Sequence, residues 1–289
     1  MLPMLHPHRE PPKAYLRPGN RESVTPFIYA TRDYTHPEQR PYEKEALVYT
    51  PPGFDPQGRY DVLYLIHGGG CTPQWYLGSK SPLPHMLDSM IGAGEVPPLL
   101  VCAVSYLNPY CPDATENCRA YHFELVQDVM PAFERAYPTY APAPDKAGFQ
   151  QSRKHRAFGG YSMGAMATWA VLEQALDQIA AFLPMSGDCW ALATRGGGSQ
   201  PEATARHLKQ RVQAFGAFSR DYCIFAGSGD GRDMAEPNLT PQIKAMEQLP
   251  ETFGPEHLYH CVCEGYGHDL DTALRLLYTG LPLVFGGRA

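Results

Sequence analysis

Runs of consecutive apolar residues, rather than alternating ones, mark the predicted strands of this chain. Asp61–Ile66 and Leu99–Val104 are two such runs, as expected of strands buried on both faces of a mainly parallel sheet. Further strands are predicted at 24–30, 45–50, 156–159, 181–186, 221–226 and 258–263, and helices at 121–137, 165–174 and 270–278. Strands that alternate with helices predict one doubly wound α/β sheet with helices on both faces.

Proline and glycine interrupt this pattern at a few places. Residues 1–22 are rich in proline and charge, and they predict an extended arm over the surface, followed by a single domain over 23–289. Pro131 lies inside the helix predicted at 121–137, so we expect a kink or a break there. The glycine-rich segment 195–200 is predicted to be a mobile loop.

Composition narrows the classes of function. The 289 residues are 44% hydrophobic and 19% charged, which predicts a globular chain with a sizeable core. With a net charge of -6 and no basic cluster, we expect neither nucleic acid nor an anionic membrane as a partner. The first residues lack a basic segment followed by an apolar one, so we expect a cytoplasmic protein, or a secreted one if a signal peptide has been removed.

Eight cysteines are scattered along the chain, several of them in strand-like apolar stretches. They form no C-x-x-C pair and no cysteine–histidine cluster at zinc spacing, so we expect no metal site. Cys111 and Cys118 flank a loop and could pair in an exported protein. Otherwise the pattern predicts eight thiols in a reducing compartment.

The segment Gly160-Tyr161-Ser162-Met163-Gly164 reads G-x-S-x-G between a predicted strand and a predicted helix. This context is typical of a nucleophile elbow, where a serine lies on a tight, strained turn. The flanking glycines have no Cβ, so strand and helix can approach closely. Ser162 is therefore the candidate nucleophile.

A second motif, His67-Gly68-Gly69-Gly70, follows the buried strand Asp61–Ile66. Glycines allow backbone N–H groups to face a cavity, as an oxyanion hole requires. We expect the N–H of Met163 and one from Gly69 or Gly70 to bind the oxyanion. His67 is predicted to be a structural hydrogen-bonding residue of this loop.

A serine nucleophile also needs a histidine base and an acid that orients it. His268 follows the last predicted strand and precedes the last predicted helix, which is the position expected for the base. The acid should follow the strand at 221–226, where Asp230 and Asp233 are both candidates. Spacing alone does not choose between them.

The chain resembles the feruloyl esterase branch of carbohydrate esterase family 1, within the esterase D-like α/β hydrolases. The resemblance rests on the motifs described above and on the segments 47–54, 62–70, 156–164, 184–190 and 237–242, and it extends from about residue 24 to the C-terminus. In these relatives the triad aspartate precedes an apolar residue, an alanine and a Pro-Asn pair. Asp233 matches this pattern better than Asp230, with one extra residue in the preceding loop.

The resemblance implies an α/β-hydrolase fold and a serine esterase that cleaves hydroxycinnamoyl esters of plant cell-wall carbohydrates without a cofactor. Its expected partner is a small-molecule or oligosaccharide ester. Trp75, Tyr106 and Trp190 lie on predicted loops at the same face and are candidates for the acyl pocket, as are Tyr76 and Tyr110. The alternatives are an acetyl or short-chain carboxylesterase, an acyltransferase on the same scaffold, and a non-catalytic binding protein.

Overall fold

A nine-stranded sheet crosses the centre of the molecule, in a computed structural model that describes residues 5–18 and 21–286. Its strands, numbered along the chain, are β1 (Leu5–Pro7), β2 (Val24–Arg32), β3 (Pro41–Tyr49), β4 (Asp61–Ile66), β5 (Leu99–Val104), β6 (Arg156–Tyr161), β7 (Ala181–Met185), β8 (Cys223–Gly229) and β9 (Leu258–Cys263). Their spatial order is β1-β9-β8-β7-β6-β4-β5-β3-β2. All neighbours pair in parallel except β3, which is antiparallel to both β2 and β5.

The central strands confirm the reading of the apolar runs. Every residue of β4, β5, β6 and β7 is buried. Strands covered by helices on both faces have no solvent-facing side, so their sequences do not alternate. The bounds of β4, β5 and β9 agree with the prediction to the residue.

Helices cover both faces of the sheet. They are α1 (Gln74–Leu77), α2 (Leu83–Gly92), α3 (Ala114–Glu124), α4 (Met130–Ala136), α5 (Lys146–Gln151), α6 (Met163–Ala175), α7 (Gly196–Ser199), α8 (Pro201–Gln213), α9 (Glu236–Glu247), α10 (Pro250–Phe253) and α11 (Leu270–Phe285). One buried apolar cluster includes residues of α3, α4, α6, α8 and α9, and the other includes residues of α1, α2 and α11. The predicted mainly parallel sheet between two helical layers is confirmed.

The helix predicted at 121–137 is divided in the structure. It begins earlier, as α3, and a π-helical turn at Leu125–Val129 separates α3 from α4. Pro131 lies in the first turn of α4. Proline has no N–H to donate to the preceding turn, and a widened turn accommodates this loss without ending the helical path.

The segment 195–200 is predicted to be a mobile loop, and the prediction of a loop is wrong. Gly196–Ser199 form the short helix α7, in which Gly196 and Gly197 are buried. The N–H of Gly197 donates to Asp188 Oδ2 at 2.9 Å. A Cβ on Gly197 would collide with Gln242 Oε1. These glycines therefore permit close packing of α7 against α9 rather than flexibility.

The arm predicted at residues 1–22 contributes a strand that the sequence analysis did not predict. β1 pairs with β9 and so forms one edge of the sheet. Further along, the N–H of Arg9 donates to Thr279 Oγ1 at 2.9 Å, and Glu10 accepts from Arg275 Nε at 3.0 Å, so this part of the arm lies on α11. Residues 1–4, 19 and 20 of the predicted arm, and 287–289 of the predicted domain, lie outside the described residues.

The structure contains no disulfide among its eight cysteines, all of which lie in the described residues. All eight are free thiols, so Cys111 and Cys118 are not paired. Within residues 5–18 and 21–286, no helix is both long enough and apolar enough to cross a membrane.

Candidate active site

Ser162 lies on a sharp turn between β6 and α6. Its φ of 58° and ψ of -116° belong to a region that residues with a Cβ rarely adopt. The turn is possible because its neighbours are small. A Cβ on Gly160 would collide with the carbonyl of Gly164, and one on Gly164 with the carbonyl of Ile66. The strand, strained turn and helix predicted from G-x-S-x-G are all present.

His268 lies in the loop between β9 and α11, next to Ser162. Its Nε2 is 2.9 Å from Ser162 Oγ, and its Nδ1 is 2.6 Å from Asp233 Oδ1. A carboxylate accepts only, so Nδ1 carries the proton and Nε2 accepts from the serine hydroxyl. The next residue, Asp269, caps the N-terminus of α11 by accepting from the N–H of Thr272, which fixes the end of this loop.

Asp233 is fully surrounded by donors. Its Oδ1 faces His268 and accepts from the N–H of Ala235 at 2.9 Å, while its Oδ2 accepts from Ser186 Oγ at 2.6 Å and from the N–H of Gly229 at 2.9 Å. Burial alone would raise the pKa of Asp233, but the hydrogen bonds, first among them the one from His268, lower it below the usual value. The site therefore holds an ionised carboxylate beside the imidazole.

Asp230, the other candidate for the acid, connects two loops by hydrogen bonds instead. Its Oδ2 accepts from the N–H of Gly265 at 2.7 Å, and its Oδ1 accepts from the N–H of Arg232 at 3.1 Å. Arg232 in turn donates to the carbonyl of Gly265. Asp230 thus ties the β8–α9 loop to the loop that carries His268, and Asp233 alone of the two contacts the imidazole.

Ser186 is a site residue that the sequence analysis missed. It directly follows β7, has a φ of 51°, and is buried. Its N–H donates to the carbonyl of Gly227 at 2.7 Å, and its hydroxyl donates to Asp233. A serine after a strand is an ordinary turn residue in sequence, so no local pattern distinguished it.

Of the predicted oxyanion residues, Met163 and Gly69 lie at the elbow, and Gly70 has no neighbour there. Met163 is the first residue of α6, so its N–H has no acceptor within the helix. A Cβ on Gly69 would lie 3.4 Å from Met163 Cγ, whereas one on Gly70 would have nothing within 4 Å. Gly68 comes still closer to the nucleophile, because its Cβ would lie 3.3 Å from that of Ser162. The segment Gly68-Gly69 is thus the part of the loop that lies against the elbow.

Two side chains hold this glycine loop from behind. His67 is buried, with Nδ1 2.8 Å from the carbonyl of Gly68 and Nε2 2.8 Å from Ser105 Oγ, as predicted for a structural residue of the loop. Burial lowers the pKa of His67, so the ring is neutral near pH 7. The hydroxyl of Tyr106 donates to the same carbonyl at 3.2 Å.

A cavity of about 180 Å³ opens beside Ser162 and His268. Its apolar walls come from three methionines and an indole: Met163, Met166, Met234 and Trp190. Polar side chains complete it: Ser186, Asp188, Arg195 and Asn238. The mixture of an apolar body and a few polar groups is typical of a small-molecule site.

The five aromatic residues proposed for the acyl pocket have different positions, and Tyr76 and Tyr110 are not among the residues that line it. Trp190 lines the cavity. Tyr106 is 2% exposed and lies behind the glycine loop, so it is not a wall of this cavity. Trp75 packs against Tyr161, with ring centroids 5.2 Å apart, and it too is absent from the cavity lining. Trp75 and Tyr76 lie in the short helix α1 rather than on the predicted loop. Segments this short give no periodic signal, so the direction of their side chains could not be predicted.

Comparison with known proteins places the chain in a family. No protein-family model matches it. It is 34% identical over 249 residues, 84% of its length, to endo-1,4-beta-xylanase Y of Acetivibrio thermocellus, and 30% identical over 132 residues, 43% of its length, to an endo-1,4-beta-xylanase/feruloyl esterase of Xylanibacter ruminicola. It spans only 22% and 16% of the lengths of these two proteins.

The deciding similarity is to a solved structure of matching length. A mutant feruloyl esterase module from Clostridium thermocellum, complexed with sinapinate, superposes with a TM-score of 0.82 at 31% identity, over 98% of this chain and 95% of that one. The chain belongs to the feruloyl esterase family. Feruloyl esterases are carboxylic ester hydrolases, and the predicted resemblance and the predicted α/β-hydrolase fold are confirmed.

Membership of the feruloyl esterases concerns the chain as a whole rather than single residues. The hydrogen bonds from Asp233 through His268 to Ser162 are geometry of this structure. Among the residues that the structure describes, no group of three or more His, Cys, Asp or Glu side chains could hold a metal ion.

Proposed function

We propose that this protein hydrolyses hydroxycinnamoyl esters, of the feruloyl type, of plant cell-wall carbohydrates. The observation that carries the proposal is the line of hydrogen bonds from Asp233 through His268 to Ser162, beside a cavity of about 180 Å³, in a member of the feruloyl esterase family. A strained serine, an imidazole that accepts its proton and a carboxylate that orients the imidazole are the groups that acyl transfer requires.

In the proposed reaction, Ser162 Oγ attacks the ester carbonyl carbon while His268 Nε2 takes the hydroxyl proton. The carbonyl π electrons move to oxygen, and the N–H of Met163 with one from the glycine loop stabilises the resulting oxyanion. When the carbonyl re-forms, the C–O bond to the alcohol breaks and His268 gives the proton to the departing alkoxide. The products of this half-reaction are the free alcohol and an acyl-serine ester.

Deacylation repeats these steps with water as the nucleophile. His268 takes a proton from the water as it attacks the acyl carbon, and then returns that proton to Ser162 Oγ as the acid leaves. Asp233 stays ionised throughout. It holds the Nδ1–H tautomer and stabilises the imidazolium formed in each half-reaction.

The cavity beside Ser162 is the proposed acyl pocket. Met163, Met166 and Trp190 offer it apolar surface and an aromatic face, which suit a planar phenylpropenoyl group better than a short acetyl group. Trp190 is held in place, because its Nε1–H donates to Asp188 Oδ1 at 2.9 Å. We therefore expect hydroxycinnamates to be better substrates than acetates.

A hydrolysis panel tests this function. Methyl ferulate, methyl p-coumarate and methyl caffeate should have kcat/KM values at least tenfold above those of short-chain acetates. Ser162→Ala should lower kcat for methyl ferulate by on the order of 10⁶, because triad residues act as a unit. Acetates as the better substrates would refute the acyl preference. More than a few per cent of activity in the purified Ser162→Ala variant would refute the nucleophile.

A further inference from the structure

A second cavity, of about 230 Å³, adjoins the proposed acyl pocket. The two share Met166 and Trp190 as lining residues. The second cavity then continues along α6 past Ala170 to Glu173. Since a helix rises about 1.5 Å per residue, Ala170 lies about 12 Å along the axis from Ser162. The cavity is thus next to the reaction centre but outside it.

Trp190 is fixed from two sides at this boundary. Its indole N–H donates to Asp188, whose other oxygen accepts from the N–H of Gly197 in α7. Its carbonyl accepts from the guanidinium of Arg119 on α3 at 2.9 Å. An aromatic side chain held in this way offers a binding surface at little further cost in conformational entropy.

Five polar side chains line the second cavity, and they come from three helices. Arg119 and His122 enter it from α3, Glu173 and Gln174 from α6, and His207 from α8. Glu173 is itself ordered, since its carboxylate lies 3.0 Å from His207 Nε2 and accepts from Cys189 Sγ. A guanidinium has five N–H donors, so the contact with the carbonyl of Trp190 leaves Arg119 with donors for a ligand.

This chemistry fits a saccharide better than an acyl group. A sugar ring has an apolar C–H face that packs on an indole, and pairs of neighbouring hydroxyls that bind planar polar side chains such as Arg, Glu, Gln and His. An apolar ring placed here would instead take these polar groups out of water without hydrogen bonds, which is unfavourable. The hydroxycinnamoyl group already has the apolar cavity beside Ser162.

We propose that the second cavity, lined by Arg119, His122, Glu173, Gln174 and His207, binds a saccharide unit of the alcohol portion of the ester. The proposal rests on the function proposed above and specifies its substrate as an oligosaccharide ester. Because the cavity extends past Ala170, about 12 Å along the axis of α6 from Ser162, it receives a unit beyond the one that carries the acyl group. Trp190 is the wall between the acyl and saccharide sites.

Two variants and two substrates test the saccharide site. Ala170→Phe fills the cavity, and Gln174→Met removes an amide from its lining while keeping side-chain length. Each should raise KM about tenfold for a feruloylated arabinoxylan oligosaccharide, the effect of losing about 1.4 kcal/mol of binding. Each should leave KM and kcat for methyl ferulate within twofold of wild type, because methyl ferulate has no sugar.

Ala114→Phe is the matched control. Ala114 lines a separate groove of about 600 Å³ that shares no residue with the acyl pocket. The same substitution there should therefore change KM for neither substrate. A KM effect confined to Ala114→Phe would place the saccharide in that groove and overturn the proposal. Equal losses for both esters in Ala170→Phe would mean that the acyl group occupies the second cavity, which also overturns it.

Binding measurements separate this proposal from the proposed function. Calorimetry on the Ser162→Ala protein, with the unesterified arabinoxylan oligosaccharide as the probe, requires no turnover. Binding that Ala170→Phe weakens about tenfold supports the saccharide site even if methyl ferulate is not hydrolysed. Absence of binding, or binding unaffected by Ala170→Phe, refutes the site even if methyl ferulate is a good substrate.

Discussion

Replacement of Asp233 by asparagine is the sharpest test of the proposed triad, because every partner of this carboxylate is a donor. The amide NH₂ group must occupy one of the two oxygen positions. At Oδ2 it would oppose the N–H of Gly229, and at Oδ1 the N–H of Ala235 and the Nδ1–H of His268. Either orientation breaks at least one buried hydrogen bond, and placing the amide toward the imidazole selects the wrong tautomer.

The magnitude follows from these contacts. Loss of the tautomer and of the charge that stabilises the imidazolium should lower kcat by roughly 10⁴ with little change in KM. An unsatisfied buried N–H costs about 1 to 3 kcal/mol, so the unfolding free energy should fall by about that much. Asp233→Asn should therefore fold, be somewhat less stable, and be nearly inactive.

Asp230→Asn is the natural control, since Asp230 lies three residues away and differs in its contacts. An asparagine there keeps an oxygen for the N–H of Gly265 or of Arg232, so kcat should fall less than tenfold. The assay is methyl ferulate hydrolysis at saturating substrate, after thermal melts show that both variants are folded. If Asp230→Asn is nearly dead while Asp233→Asn is nearly normal, the assignment of the acid is wrong.

Three further predictions concern Ser186, His260 and the thiols. Ser186→Ala and Ser186→Gly both remove the hydroxyl that donates to Asp233, so each should lower kcat about tenfold or more at unchanged KM. The glycine variant should melt at a higher temperature than the alanine variant, because glycine relieves the positive φ. A wild-type kcat in either variant would refute a positioning role for Ser186. Burial, aided by the charge of Lys244, lowers the pKa of His260 to about 4. The unfolding free energy should therefore fall by up to about 3 kcal/mol as the pH is lowered from 6.5 to 4, because only the unfolded state takes up a proton on this imidazole in that range. Denaturant melts across this pH range measure the fall, and His260→Gln should make the unfolding free energy less dependent on pH. Thiol titration of the unfolded protein without reductant should count eight groups and activity should not change with dithiothreitol, whereas a Cys111–Cys118 bridge in mass spectrometry would contradict this.

The centre of the fold was predictable because burial on both sides leaves a plain signal in sequence. β4, β5 and β9 were located to the residue from apolar runs alone. The strand β1 gave no such signal, since a three-residue edge strand is defined by its partner β9 near the other end of the chain. The glycines of α7 were misread because the same residue serves flexible loops and tight helix contacts.

Some residues of the candidate site could also be predicted from sequence, and others could not. Ser162 and His268 could be predicted because each lies at the junction of a strand and a helix with a recognisable pattern. The choice between Asp230 and Asp233 depends on the path of a six-residue loop, which spacing does not determine. Ser186 and the direction of Tyr106 depend on contacts between segments distant in sequence, which only the folded structure reveals.

The pairing of β1 with β9 has a consequence for how the protein reaches its native state. A contact between segments so far apart in the chain closes a very long loop, and such contacts form slowly. During synthesis the arm leaves the ribosome before β9 does, and it has no partner strand until β9 has followed. In the interval the edge of β9 that β1 will cover is open to other strands, so we expect the last stage of folding to be the stage most sensitive to protein concentration.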